Sequence, residues 1–230
     1  MARTYERIIL DVETQKDFFS KGGSLYDPVA SPAALENVYR LFDWAGHEEI
    51  PVMSTVLRVR RQDKSPLSDK MHCLDETEGE QKLPRTILPS RINMGLLNTT
   101  DLPGDIFTQY RQVIFEKRDI DIFAHARAER LITELEQTTF VIFGAGIAHG
   151  ICQAAIGLRT RGFSVIAAAD AILTLNDPKA EMARMRMEAK GVIFARTKDI
   201  LIPTPRKRHR LAHRTEETLR RGPAPRSSRR

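Results

Sequence analysis

Cysteine is scarce in this chain, with two in 230 residues, Cys73 and Cys152. Two widely spaced cysteines exclude a disulfide framework as the source of stability. Without a Cys-x-x-Cys pair or a Cys/His cluster, nothing in the spacing suggests zinc. Long apolar runs are missing too, and none approaches the ~20 residues that cross a bilayer. The opening MARTYERIILDVETQ has no extended apolar segment, and its first apolar run ends in an acid. A secretory signal is therefore not expected, and the chain is read as cytoplasmic with no membrane partner.

Charge is unevenly spread. The net charge is +6, but residues 204–230 carry ten Lys/Arg against two Glu, a net of +8. That leaves the body at −2. The segment PRKRHRLAHRTEETLRRGPAPRSSRR is poor in apolar residues and is expected to be a disordered tail. It can bind nucleic acid or an anionic surface through phosphate charge, but it lacks the interleaved aromatics that stack bases. A solvated extension is the simpler reading. The expected organisation is a domain over 1–203 and a tail over 204–230.

Hydrophobic residues make up 41% of the chain, enough for a sizeable core. Tyr5 to Leu10 reads as a buried strand closed by Asp11. Ser31-Pro32 starts a helix whose apolar face is Leu35, Val38, Leu41 and Phe42 and which ends near Gly46. Further strands are expected over 50–57, 112–115, 139–143, 163–168 and 192–195, with Asp170 closing the fifth. Helices are expected over 122–135, after the Gly-rich GAGIAHGIC, and over 178–189. Residues 58–105 are polar and aperiodic, too long for a structureless loop, and are expected to form short turns near a site. Strands alternating with helices predict an α/β, Rossmann-like three-layer sandwich: a mostly parallel six-stranded sheet with helices on both faces.

In such sheets ligands bind beyond the carboxyl ends of the strands. Asp11, Lys117 and Cys152 stand there. Cys152 follows a strand-to-helix turn, where partial positive charge favours a thiolate and backbone N–H groups can hold an oxyanion. A carboxylate such as Asp11 can take the thiol proton, and Lys117 can stabilise both anions. Singly, each has a plainer explanation: a core cysteine, a turn aspartate, a solvated lysine. Their common position at one rim is what joins them.

The ordered set resembles the isochorismatase-like cysteine hydrolases, which include nicotinamidase, isochorismatase and N-carbamoylsarcosine amidase. The likeness runs from about Arg7 to Pro203. It rests on Ile8-Ile9-Leu10-Asp11 with Gln15-Lys16-Asp17-Phe18, on Val113 to Lys117 with Phe123, on Gly146-Ile147-Ala148-His149-Gly150-Ile151-Cys152, and on Gly162 to Val165 with Asp170-Ala171. The resemblance implies Asp11 as general acid/base, Lys117 as its partner and Cys152 as nucleophile. It also implies an oxyanion hole from the N–H groups of Ala148 and Cys152, and a cis peptide between Ile147 and Ala148.

The expected activity is hydrolysis of a small amide or ureido compound through a thioester. Ether hydrolysis of the isochorismate type belongs to a small branch in which the cysteine position need not hold cysteine. The alternative is an inactive binding or scaffold subunit of the same fold. A homo-oligomer, dimer or tetramer, is expected from family habit.

Four departures stand out. The family has two fewer residues between its Asp and Phe, and a different gap would put Glu13 in the Asp's place; Asp11 is preferred because it ends the apolar run. His149-Gly150 replaces the usual Thr-Asp. Thr55 to Arg60 lacks the Asp and His ligands of nicotinamidases, so no metal and no cofactor are expected. Gln153 replaces a small apolar residue. Phe18 and His149 are candidate substrate contacts. His72-Cys73 with Thr77-Glu78-Gly79 resembles a family segment that shapes the pocket floor or a subunit contact.

Overall fold

The computed structural model describes residues 3–201. The 203/204 boundary and the basic tail lie outside the described residues. The strands are β1 (Arg3–Thr4), β2 (Arg7–Val12), β3 (Val52–Leu57), β4 (Arg91–Asn93), β5 (Gln112–Lys117), β6 (Leu135–Glu136), β7 (Thr139–Ala145), β8 (Ser164–Leu173) and β9 (Ile193–Ala195). The helices are α1 (Lys16–Phe19), α2 (Ala30–His47), α3 (Ile106–Gln109), α4 (Ala126–Thr133), α5 (Cys152–Thr160), α6 (Ala180–Ala189) and α7 (Thr197–Ile200).

Seven strands form one parallel sheet in the order β4-β5-β3-β2-β7-β8-β9, with helices on both faces. The α/β class stands, with one strand more than expected. The addition is β4, an edge strand that pairs Arg91 with Gln112 and exposes Arg91 and Asn93. A strand without a buried face carries no apolar pattern to read. β1 and β6 pair separately. The central strands β2, β3 and β7 are buried on both faces, as their continuous apolar runs require.

Three boundaries differ for local reasons. Asp27, not Ser31, caps α2: its Oδ1 accepts from the N–H groups of Val29 (2.8 Å) and Ala30 (2.7 Å). Ser31 is buried one residue inside the helix and donates to Phe18 O at 2.7 Å. The segment 122–135 is split at His125 (φ −89°, ψ +107°), which separates a single tight turn over Ile122–Ala124 from α4. β8 runs past Asp170 to Leu173, because a register shift between Ile142 and Gly144 keeps it paired with β7. Asp170 instead accepts from Thr197 N and Oγ1, both at 2.7 Å, fixing the start of α7.

The long segment 58–105 is anchored across the strand ends. Gln15 donates to Leu57 O (2.8 Å) and Glu80 O (2.7 Å) and accepts from Leu57 N (2.9 Å). Asp17 accepts from Cys73 N at 2.6 Å and from Ser24 N at 3.0 Å. Two polar side chains after β2 thereby hold residues 72–83 as a cover over the sheet's carboxyl edge.

Candidate active site

Side chains alternate along a strand, so register decides which of them can meet. Asp11 pairs in register with Ser54, and Ser54 with Ile114. Lys117 is three residues beyond Ile114 and projects from the opposite face. Asp11 therefore does not reach Lys117. Its carboxylate accepts from Ser54 Oγ (2.8 Å) and forms a buried ion pair with Lys82. Lys82 Nζ also donates to Thr14 Oγ1 at 2.6 Å and lies 5.4 Å from the Phe42 ring centroid. Burial pulls the Lys82 ammonium below its ordinary range, against the attraction of Asp11. The expected Asp11–Lys117 contact is absent, and Asp11 belongs to a core ion pair.

The carboxylate that does meet Lys117 is Glu13, its Oε1 2.6 Å from Nζ. Glu13 has the parity of Asp11, but its backbone turns into the left-handed region at φ +57° as β2 ends. That breaks the alternation and brings the carboxylate to the Lys117 face. A non-glycine residue held there costs about 1–3 kcal/mol, a cost characteristic of functional sites. Glu13 N–H donates to Thr55 O at 3.2 Å, which secures the turn.

Lys117 is fully committed. Its three donors go to Glu13, Asp119 O (2.9 Å) and Ile120 O (2.8 Å). Glu13 is fully buried, and its second oxygen, Oε2, has no partner. Asp11 Oδ1 is likewise buried without a partner, and of the two carboxylates Glu13 is the one at the strand ends.

Cys152 does not face this pair. Its Sγ lies 3.9 Å from Ala183 O on α6. Burial raises its thiol, and the nearby Arg186 only partly offsets this. Its N–H donates to His149 O and is not free to hold an oxyanion with Ala148. All peptide bonds of residues 3–201 are trans, so the expected cis bond at Ile147–Ala148 is not found. The turn is made by Gly146 in the left-handed region (φ +79°) and by His149, whose φ −123° and ψ −114° leave the helical range.

Gly150 stands at the carboxylate instead. A Cβ built on it would lie 3.1 Å from Glu13 Oε1 and 3.2 Å from Val12 Cγ1. Gly144 and Gly150 are six positions apart, as are Gly146 and Cys152. Gly150 therefore stands as far past Gly144 as Cys152 stands past Gly146, and it is Gly150 that lies against Glu13. The same applies at Glu13. Glu13-Thr14-Gln15-Lys16-Asp17-Phe18 needs no extra residues, which is the signal that pointed away from Asp11.

Around the pair, Phe18 is buried against the His72 ring, with centroids 5.8 Å apart. His72 Nδ1 meets Lys70 O at 2.8 Å, and its buried Nε2 has no partner. Burial lowers the His72 imidazole, while Glu13 and Asp17 pull the other way. Cys73, also buried, has its thiol pushed well above the ordinary value by burial and by Glu13 and Asp17. His149 Nε2 lies 2.7 Å from Asp177 Oδ2. A cavity of about 260 Å³ opens between residues 24–31, Ser68, Lys70 and Leu173–Asn176, the last of these next to Asp177 in the chain.

The chain matches the Isochorismatase domain family over residues 99–199. No curated protein matches it. Among solved structures it is similar to a nicotinamidase from Bacillus subtilis, at 16% identity, covering 83% of this chain and 99% of that one with a TM-score of 0.62. It is similar to an N-carbamoylsarcosine amidase from Thermoplasma acidophilum (14% identity, 84% and 97% covered, TM-score 0.62). It is also similar to a pyrazinamidase from Pyrococcus horikoshii in complex with zinc (18% identity, 84% and 99% covered, TM-score 0.61). The fold is that of the isochorismatase-like hydrolases.

The zinc in that relative raises the question of a cation here. The residues do not fit one. Among the described residues no cluster of three or more His, Cys, Asp or Glu is arranged for a metal. After β3 stands Arg58, whose guanidinium is held by Glu116 (2.8 Å), Glu80 (3.0 Å) and Asp75 (3.3 Å). A fixed cation and its carboxylates leave no donor set for a second one.

Proposed function

We propose that this isochorismatase-like hydrolase cleaves a small enol-ether substrate by proton transfer and direct attack of water, with Glu13 as acid/base and Lys117 as its fixed partner. The observation that carries this reading is Gly150 against the Glu13 carboxylate, where a covalent mechanism needs a thiol.

The chemistry follows from what the pair lacks. An amide resists attack by water unless a nucleophile or a metal assists. An enol ether needs neither. Protonation of its terminal carbon gives an oxocarbenium ion, water adds to that ion, and the hemiketal collapses to an alcohol and a ketone. The enzyme must deliver and recover a proton, and Glu13 Oε2 is the open oxygen positioned to do so. Lys117, with all three donors engaged, holds the carboxylate in place. The thioester route from Cys152 is not part of this reading, since its thiol faces Ala183 and burial keeps it protonated.

The test uses isochorismate as enol-ether probe and nicotinamide as amide probe. The expected result is release of pyruvate from isochorismate, lost in Glu13→Gln and unchanged in Cys152→Ala. Nicotinamide hydrolysis that disappears in Cys152→Ala would overturn the reading in favour of the cysteine amidase. A second reading, a binding subunit without activity, draws on the same missing thiol and gains if neither probe is turned over.

A further inference from the structure

His149 and Asp177 form a hydrogen-bonded pair at the same rim, and the fold spends backbone irregularity to place it. His149 is the one residue in the turn 147–151 with non-helical φ/ψ, and its N–H donates to Gly146 O at 3.0 Å. It precedes Gly150, whose Cα faces Glu13. Asp177 comes from the loop after β8 and is itself fixed, accepting from Lys179 N at 2.7 Å. Leu173 to Asn176, just before it, line the 260 Å³ cavity. A Cβ on Gly146 would be 3.6 Å from both Leu175 Cδ1 and His149 Cβ, so Leu175 of the cavity wall and the base of the His149 side chain flank one glycine.

We propose that the His149–Asp177 pair is the general base that activates water for attack, opposite Glu13 across the substrate. The inference rests on the hydrolase reading above and assigns a role that reading leaves open. An Asp oxygen at 2.7 Å from Nε2 sets the tautomer with hydrogen on Nε2, which leaves the lone pair on Nδ1. No hydrogen bond among the described residues engages Nδ1. Water gives its proton to His149 Nδ1 as its oxygen bonds to the oxocarbenium carbon, which Glu13 has formed by protonating the terminal carbon. In the collapse the hemiketal hydroxyl returns a proton to Glu13, and His149 protonates the departing alcohol oxygen. The cycle starts with Glu13 carrying a proton on Oε2, its Oε1 still accepting from Lys117, and with His149 neutral; both groups end as they began, with one water consumed.

The charged groups facing His149 are Asp177, with Lys179 beside it after β8, and His72 from the covering segment, which Glu13 and Asp17 also face. The helix α6, packed on the same turn, sends Arg186 toward Cys152. Asp177 is held below the ordinary carboxylate range. Burial alone raises it, but hydrogen bonds from Lys179 N–H and His149 outweigh that.

The experiment measures pyruvate release from isochorismate against pH in wild type, His149→Asn, His149→Gln, Asp177→Asn and Glu13→Gln. It adds 15N detection of the His149 tautomer in wild type and Asp177→Asn. The expected results are a kcat at least 100-fold lower in both His149 variants, with KM within about threefold. Added imidazole should restore part of the rate, and the acid limb of the profile should shift in Asp177→Asn. The tautomer should carry hydrogen on Nε2 and lose that preference in Asp177→Asn. A wild-type kcat and pH profile in the His149 variants, with Glu13→Gln inactive, overturns this assignment alone. A substrate untouched by wild type, or full activity in Glu13→Gln, overturns the hydrolase reading and this one with it.

Discussion

Lys117 Nζ sits 2.6 Å from Glu13 Oε1, while Asp11, two residues upstream, meets Lys82 on the other face of the sheet. Two acid–lysine pairs are thus buried back to back at the end of β2. Their surroundings separate their roles. The Asp11 pair is enclosed by Ser54, Thr14 and Phe42, in the core under α2. Each carboxylate keeps one buried oxygen without a partner, Asp11 Oδ1 and Glu13 Oε2, but only the Glu13 pair lies at the carboxyl edge with Gly150 beside it.

Asp11→Ala should therefore act on stability. It strands the Lys82 ammonium in the core, and breaking a buried pair by removing one partner costs about 3–5 kcal/mol. Asp11→Leu combined with Lys82→Met should recover much of that loss, because the pair's desolvation cost is removed with it. Urea midpoints of the three proteins measure this. A single variant as stable as wild type would show that Asp11 is not a core pair.

Glu13→Gln should act on chemistry. Gln keeps a hydrogen-bond acceptor for Lys117 and removes the proton carrier. Turnover of isochorismate should fall by roughly 10²–10⁴-fold, with a urea midpoint far closer to wild type than that of Asp11→Ala. Steady-state kinetics on protein shown to be folded by circular dichroism separates the two effects.

Much of this fold was legible because the central strands are uninterrupted apolar runs and β2 and β7 lead into the helices α2 and α5. The edge strand β4 was not, since Arg91-Ile92-Asn93 buries too little to leave a pattern. Lys117 was legible as a candidate because it ends a buried strand. Its partner was legible only as the alternative alignment with Glu13 in the Asp's place, because the left-handed turn that carries Glu13 to the Lys117 face leaves no mark in an ordinary Glu. Gln15 and Asp17 were read as motif letters only. Their work, tying Leu57, Glu80 and Cys73 over the strand ends, depends on contacts 42 to 65 residues apart. Lys82 lay in the polar, aperiodic stretch expected to form short turns near a site, and its side chain is buried in the core.

Both cysteines should resist alkylation near neutral pH. Burial raises each thiol above its ordinary value. In the folded state the proton is retained, whereas the unfolded chain releases it above about pH 8.5. The unfolded state then binds fewer protons, so stability falls as pH rises through that value. Urea midpoints between neutral and alkaline pH should drop in wild type and drop less in Cys73→Ala. Rapid iodoacetamide labelling of Cys152 at neutral pH would contradict the core assignment and revive the thioester route.

His72 and His125 carry the opposite dependence. Burial lowers both imidazoles. The unfolded chain takes up protons below about pH 6.5 while the folded state resists them, so stability is lost as pH falls below that value. His72→Asn should flatten the acid side of a stability profile measured by urea midpoint. An unchanged acid limb would mean that His72 titrates alike in both states.

Gly150→Cys tests where the nucleophile position lies. A Cβ there would be 3.1 Å from Glu13 Oε1 and 3.3 Å from Ile120 O, tight contacts that need shifts of a few tenths of an ångström. The new thiol would stand beside a carboxylate and the Lys117 ammonium at the strand ends. Two opposed effects act on it: the carboxylate discourages a thiolate and the ammonium favours one. If Gly150 occupies the nucleophile position, this thiol should alkylate faster near neutral pH than Cys152 does, and Lys117→Met should abolish the difference. Mass spectrometry of the labelled protein assigns the modified cysteine directly. A thiol at 150 as inert as Cys152 would show that the site at Glu13 is closed to small molecules, which is the behaviour expected of the binding subunit rather than the hydrolase.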